Sequence, residues 1–191
     1  MQDPSSVLNY WLKEVGPARW YDADPALDAD IRARFETTWQ AAKDGELPPD
    51  WMMRPEETLA FLILVDQFPR NMFRGTGEAF ATDAKALSVA KKAIDRRWDM
   101  RVPEPERQFF YLPLMHSECL CDQERCVCLM LTRMPESGKH HIVHAKAHRD
   151  VIRRFGRFPY RNEALDRPLT KPEAEFLKGG GYASAVQAVS A

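Results

Sequence analysis

Two short stretches of the chain bring arginine and asparagine side chains to the end of an apolar run. The first covers residues 68–71 (FPRN), and the second covers residues 158–162 (FPYRN). Each follows a segment with helical periodicity, and a proline marks the place where such a helix ends or turns. We expect these two corners to meet and to form a polar site.

Arginine is concentrated around the second corner. Residues 149–167 contain six arginines and three acidic residues. Guanidinium groups make planar, bidentate contacts with carboxylates and phosphates, so the cluster is typical of an anion site. Any single arginine can instead serve in an ion pair, with Asp66 or Glu118 as its partner. The candidate ligand-binding residues are Arg70, Asn71, Arg74, Arg154, Arg157, Arg161 and Asn162.

The helical run before the second corner carries a row of histidines. His144, His148 and Ile152 recur every four residues, so they share one face, and its apolar end predicts that this face points inward. Histidine titrates near neutral pH, and a neighbouring carboxylate can orient it for proton transfer. The candidate acid/base residues are His116, Glu118, His148 and Asp66.

Two patterns are compatible with a metal site. His144 and His148 are spaced H-x3-H, and His140 extends the row, but the zinc-protease pattern H-E-x-x-H is absent. The four cysteines lie within residues 119–128, and a free cysteine packs as a small apolar residue. We expect a hydrogen-bonded His148, cysteines in or near the core, and neither a metal nor another cofactor. A metal held by His144 and His148 is the alternative.

Composition narrows the class of protein. The chain has 191 residues, of which 45% are hydrophobic and 29% are charged, and its formal net charge is -1. This length suits one domain with its own core. The charge argues against nucleic acid or an anionic membrane as partner. No apolar run reaches the roughly 20 residues of a membrane span, and no export signal is visible. We expect a cytoplasmic protein with reduced thiols.

Helical signals dominate the elements that must position the candidate residues. Asp24 and Pro25 are typical of a helix start. Residues 55–68 predict an apolar helix, and Asp66 lies near its C-terminal end. An acid there opposes the helix dipole, so we expect a cationic partner. No stretch alternates as a strand does. The sequence predicts an all-α fold of about seven helices, with one domain over residues 1–178 and a flexible tail over residues 179–191.

Three stretches resemble an uncharacterised bacterial family, domain of unknown function 924. They are residues 64–74 (LVDQFPRNMFR), residues 110–118 (FYLPLMHSE), and His148 followed by residues 154–162 (RFGRFPYRN). The likeness runs from about residue 7 to residue 177. It implies antiparallel helix pairs in a superhelix like that of tetratricopeptide-repeat proteins, and it implies no activity. A histidine usually stands in the family where this chain has Tyr160.

Two functions are compatible with these residues. In the first, a pocket lined by arginine, histidine and aspartate binds a small anionic molecule, and histidine moves a proton, as in a hydrolase or lyase. In the second, a helical scaffold binds an acidic peptide or partner protein in an arginine-lined groove. Convergence of the side chains on one ligand-sized site favours the first, and an extended groove favours the second.

Overall fold

Helices are the only regular secondary structure over the part of the chain that the computed structural model describes. That part is residues 1–190, without the side chains of Lys139 and His140. The side chain of His140, which extends the histidine row in the sequence, therefore lies outside it. The all-α prediction is confirmed. Over the same range, no helix has both the length and the apolar character needed to cross a membrane.

The chain divides into two compact units, Met1–Pro113 and Leu114–Ala191. The prediction of one domain over residues 1–178 and the superhelix implied by the family resemblance stay predictions. More helical segments are present than the seven expected, because π-helical and 3₁₀ turns interrupt several of the predicted runs.

The first unit is built from α-helices that π-helical turns extend. These are α1 (Pro4–Leu8) with a π-helical turn at Asn9–Val15, α2 (Pro25–Asp44), α3 (Pro55–Leu62) with a π-helical turn at Ile63–Gln67, α4 (Phe68–Met72) and α5 (Asp83–Asp95). Short 3₁₀ turns lie at Pro49–Met52, Gly77–Phe80, Asp99–Arg101 and Glu106–Phe110, and α6 (Leu112–Met115) lies at the boundary of the two units.

The run from α3 to α4 is the centre of the first unit. Every residue from 58 to 69 is buried, which explains why this stretch has no polar face in the sequence. Phe68 anchors its end, with its ring centroid 4.7 Å from Phe35, 5.4 Å from Trp11 and 6.2 Å from Tyr10. The first corner therefore places its phenylalanine in the core and leaves Arg70 at the rim.

The second unit consists of α7 (Leu120–Arg133), α8 (Gly138–Phe155), a 3₁₀ turn at Pro159–Arg161, α9 (Lys171–Lys178) and α10 (Gly181–Ser190). Only residues 134–137 separate α7 from α8, and the two helices pack as an antiparallel pair. Gly156 ends α8 with a φ of 71°, which favours glycine. Helix α10 packs on α8 and lies in the stretch for which the sequence predicts a flexible tail.

The cysteine prediction is right for one residue and wrong for three. Cys126 is buried, whereas Cys119, Cys121 and Cys128 are exposed. Cys119 precedes α7 as its N-cap residue, so the helical face does not carry it inward. Cys121 and Cys128 are seven residues apart and share the solvent-facing side, while Cys126 falls on the opposite side.

Candidate functional site

The predicted site residues fall into two groups, one in each unit. The first unit holds Asp66, Arg70, Asn71 and Arg74, and the second holds His116, Glu118, His148, Arg154, Arg157, Arg161 and Asn162. The expected meeting of the two corners stays a prediction.

Asp66 has the cationic partner that its place near a helix end predicts. Its side chain is 1% exposed, and Arg70 Nη2 lies 3.3 Å from its Oδ1. The same Nη2 lies 2.9 Å from Asp83 Oδ1, so Arg70 bridges two carboxylates. Gln67 donates a further hydrogen bond to Asp66 Oδ2. Both carboxylate oxygens of Asp66 are thus engaged within the first unit.

Arg74 and Asn71 bind the same aspartate. Arg74 makes a bidentate pair with Asp28, with Nε 2.8 Å from Oδ2 and Nη2 2.9 Å from Oδ1. Asn71 Nδ2 donates to Asp28 Oδ1 over 2.7 Å. Burial works to raise the pKa of Asp28, but the hydrogen bonds from Arg74 and Asn71 outweigh it, and the net pKa is lowered. This contact links α4 to α2.

In the second unit, Arg157 holds the start of α9. Its Nε lies 2.6 Å from Glu173 Oε1, its Nη2 lies 2.9 Å from Oε2, and Nη2 also donates to Pro168 O over 2.8 Å. Glu173 accepts from Thr170 N as well, which makes it the capping-box acid of α9. The hydrogen bond from Arg157 is the main reason that the pKa of Glu173 lies well below its usual range.

Arg154 lies on the surface of the second unit. Its guanidinium carbon is 4.8 Å from the ring centroid of Phe155 and 5.8 Å from that of Phe176. These are cation–π distances. Arg154 therefore covers aromatic side chains at the end of α8 while its charge faces water.

Glu118 anchors the second corner. It accepts from Phe158 N over 2.8 Å, and Arg167 contacts both of its oxygens, at 2.7 and 3.0 Å. Burial works to raise the pKa of Glu118, but hydrogen bonds from Arg167 and Phe158 prevail, helped by the charge of Arg161, and the pKa falls. The ion pair predicted between an arginine and Glu118 is confirmed, and Arg167 is the partner.

His148 lies at the centre of a group of rings. Its ring centroid is 5.4 Å from Phe158 and 6.4 Å from His116. Its Nδ1 lies 2.9 Å from the carbonyl oxygen of His144, which only accepts, so Nδ1 carries the proton and neutral His148 keeps an Nε2 lone pair. The pKa of His148 is lowered to about 3, mainly by burial, with a smaller contribution from the charges of His116 and Arg161.

Arg161 is buried beside this group. It is 6% exposed, and its guanidinium carbon lies 4.5 Å from the ring centroid of Phe158. Its charge acts on both His148 and Glu118, the two predicted acid/base residues whose pKa values it helps to lower.

Asn162 is fully buried, and its side-chain amide makes no hydrogen bond. The residue is 0% exposed, and among residues 1–190 neither its Nδ2 nor its Oδ1 has a partner. The equivalent Asn71 of the first corner binds Asp28. Leaving a buried polar group unsatisfied costs about 1–3 kcal/mol, so such a group calls for a specific explanation.

The family model described as "Bacterial protein of unknown function (DUF924)" matches residues 7–181 of the chain. The chain belongs to this family. It is also similar to the solved structure of a protein of unknown function from Agrobacterium tumefaciens, with 40% identity and a TM-score of 0.84. That similarity covers 92% of this chain and 97% of the Agrobacterium chain. A comparison with curated proteins finds no match.

The second unit of this DUF924 chain also contains site residues that sequence reasoning missed. Gln123 Nε2 donates to Met115 O and Ser117 O, at 2.6 and 2.7 Å, and so holds the backbone on both sides of His116. Nothing in the sequence marks this glutamine, because the turn it braces is not periodic. Tyr182 contacts the histidines from α10, and its only sequence signal is an aromatic residue after three glycines.

Tyr160, where the family resemblance implies a histidine, is an aromatic packing residue in this chain. Its ring stacks on Phe158 at 5.3 Å between centroids and meets Tyr182 edge-on at 5.8 Å. As for metals, the described side chains form no group of three or more histidine, cysteine, aspartate or glutamate residues able to hold an ion. The Nδ1 atoms of His144 and His148 are both engaged in hydrogen bonds within the unit.

Proposed function

We propose that this DUF924 protein binds a small anionic molecule at a histidine cluster in its second unit, and that His148 accepts a proton there. The term histidine cluster here means the two histidines His116 and His148 together with Arg161 and Asn162 of the second corner. The observation that carries the proposal is the buried amide of Asn162, whose two polar atoms have no hydrogen-bond partner among residues 1–190.

The amide of Asn162 offers one acceptor and two donor hydrogens. A ligand that bears a carboxylate or phosphate next to a hydroxyl or amine matches both functions. Such a ligand removes the cost of an unsatisfied buried group, so part of its affinity comes from restoring hydrogen bonds that the free protein lacks.

Arg161 supplies the charge complementary to an anion. A guanidinium has five N–H donors in a planar arrangement, so it can bind an anion in addition to its contacts within the protein. Because Arg161 is only 6% exposed, water screens its charge weakly. Its charge helps to lower the pKa values of both His148 and Glu118.

His148 is arranged to accept a proton once an anion is bound. Its Nδ1–H donates to the carbonyl oxygen of His144, which leaves Nε2 as the proton acceptor. In the free protein burial holds the imidazole neutral. An anion beside it favours the imidazolium and raises its pKa toward the neutral range in which a general base is effective. A hydrolase or lyase acting on a carboxylated or phosphorylated metabolite uses this chemistry.

Two arginines expected in an acidic-peptide groove have partners close by in the second unit. Arg157 pairs with Glu173, and Arg154 lies over Phe155 and Phe176. This favours a compact site for a small molecule over an extended groove. Glu118, held ionised by Arg167, then supports the corner at Phe158 and does not exchange protons in the proposal.

A thermal-shift screen against carboxylated and phosphorylated metabolites tests the binding. A ligand present at about 100 times its Kd stabilises the native state by about 2.7 kcal/mol, which corresponds to a Tm increase of about 5–10 °C for a chain of this size. We expect Arg161→Gln and Asn162→Ala to abolish the shift and the surface control Arg154→Gln to retain it. Arg161→Lys keeps the charge and should retain part of it.

The binding proposal fails if no anion raises the Tm, or if folded Arg161→Gln and Asn162→Ala proteins respond as the wild type does. The proton-transfer role has its own variant. His148→Asn keeps an N–H donor near Nδ1 and lacks a basic Nε2, so we expect ligand binding to persist while turnover of a binding metabolite is lost. Full turnover by His148→Asn would refute the role of His148.

A further inference from the structure

Helix α10 covers one side of the histidine row on α8. It begins at Gly181, the last of three consecutive glycines, of which Gly180 has a φ of 102° and Gly181 a φ of 54°. Such angles turn the chain sharply and are readily adopted by glycine. The turn brings α10 back onto α8, against which it packs.

Tyr182 makes the contacts between α10 and the histidines. Its hydroxyl lies 2.7 Å from His144 Nδ1. Its ring centroid is 4.7 Å from that of His148 and 5.8 Å from that of Tyr160. One side chain therefore bonds to the first histidine and covers a face of the second.

The two histidines are themselves connected. The carbonyl oxygen of His144 accepts the hydrogen bond from His148 Nδ1, so the position of His144 sets the orientation of the His148 ring. Burial raises the pKa of the Tyr182 hydroxyl, which therefore keeps its proton and can donate to His144 Nδ1. Tyr182 thus bonds to the side chain of His144, and the backbone carbonyl of the same residue holds His148.

We infer that Tyr182 is a positioning residue of the histidine cluster, because its ring closes one face of His148 and its hydroxyl fixes the residue that orients His148. The inference deepens the proposed function and rests on it for its catalytic meaning, whereas the geometry of the contact stands by itself. Its consequence is that α10 keeps water from one face of the imidazole.

Several groups besides Tyr182 influence the pKa of His148. His144 lies on the same helix, His116 precedes α7, and Arg161 lies in the 3₁₀ turn; all three disfavour a positive charge on His148. Burial is nevertheless the largest cause of its lowered pKa. Removing the ring of Tyr182 admits water to one face of the imidazole, so it should reduce the effect of burial and raise the pKa of His148.

The test is an NMR titration of His148 in the full-length protein without ligand. Tyr182→Ala should raise the acid dissociation pKa of His148 by one unit or more, a tenfold or larger change in its proton affinity. Tyr182→Phe keeps the ring and loses only the hydroxyl, so His148 should titrate as in the wild type. In that variant the nitrogen shifts of His144 should change, because its Nδ1 loses a partner.

An unchanged His148 pKa in a folded Tyr182→Ala protein would overturn the inference, as would unaltered His144 nitrogen shifts in Tyr182→Phe. The second variant preserves packing and so remains informative if the alanine variant does not fold. Both readouts are made without ligand. A failed anion screen with altered titrations would count against the proposed function alone, and an anion-dependent Tm shift with unaltered titrations would count against the role of Tyr182 alone.

Discussion

Burial of His148 predicts how the stability of the protein responds to acid. The imidazole has a pKa of about 3 in the folded chain, compared with 6.5 for a free histidine side chain. Below about pH 6.5 the unfolded chain therefore binds a proton that the folded chain excludes. The contribution of His148 is fully present above that pH and is lost progressively as the pH falls toward about 3.

The magnitude follows from the two pKa values. Each pH unit between them corresponds to about 1.4 kcal/mol. At about pH 4.5 the unfolded histidine is almost fully protonated and the folded one is still neutral, so His148 should remove about 2.7 kcal/mol from the free energy of unfolding relative to its value above about pH 7. That is a large share of the typical stability of about 5–15 kcal/mol.

The matched comparison is wild type against His148→Asn, which carries no charge at either pH. Carboxylates with lowered pKa values, such as Glu118 and Asp28, also contribute less to the free energy of unfolding in acid. Their loss is the same in both proteins, so it cancels in the difference between them. Denaturant unfolding followed by circular dichroism at about pH 7 and about pH 4.5 gives the four free energies. The variant should lose about 2–3 kcal/mol less than the wild type on acidification.

Equal losses in the two proteins would refute the reasoning. So would an NMR titration in which His148 of the folded chain protonates near its ordinary pKa. Either result would mean that water reaches the imidazole and that the rings of Phe158 and Tyr182 do not exclude it.

Three further outcomes follow from the contacts. Arg157→Ala should lower the Tm and increase hydrogen exchange at the start of α9, because the capping-box glutamate loses its bidentate partner, whereas Arg154→Ala should leave that exchange unchanged. Arg74→Ala should destabilise the protein by about 1 kcal/mol or less in denaturant unfolding, since its guanidinium is half exposed. A thiol reagent should modify the three exposed cysteines of the native protein quickly and Cys126 only on unfolding, and fast labelling of all four would contradict the packing of α7.

The fold class and the position of the central helix could be read from the chain alone. The apolar run of residues 58–69 lacks a polar face because it is buried on every side, and its acidic end required the cation that Arg70 supplies. The capping box of Thr170 and Glu173 likewise involves residues only three positions apart. These features depend on neighbours within a few residues, and local spacing determines such contacts.

The roles of the individual arginines depended on residues distant in sequence. Nothing in the spacing distinguishes Arg157, which meets Glu173 sixteen residues later, from Arg161, which lies over Phe158 close to His148. The contact of Tyr182 with the histidines could not be predicted either, because the three glycines at residues 179–181 suggest a flexible end and do not reveal that the chain turns back.

The sequence by itself determined that this protein is an all-α member of its family with histidine and arginine at a polar corner. The tertiary structure decided which of those side chains bind one another and which keep unused hydrogen-bonding groups. The physical reason is that ion pairing, burial and the resulting pKa values depend on distances in space between elements far apart in the chain. The spacing of residues in the sequence does not determine those distances.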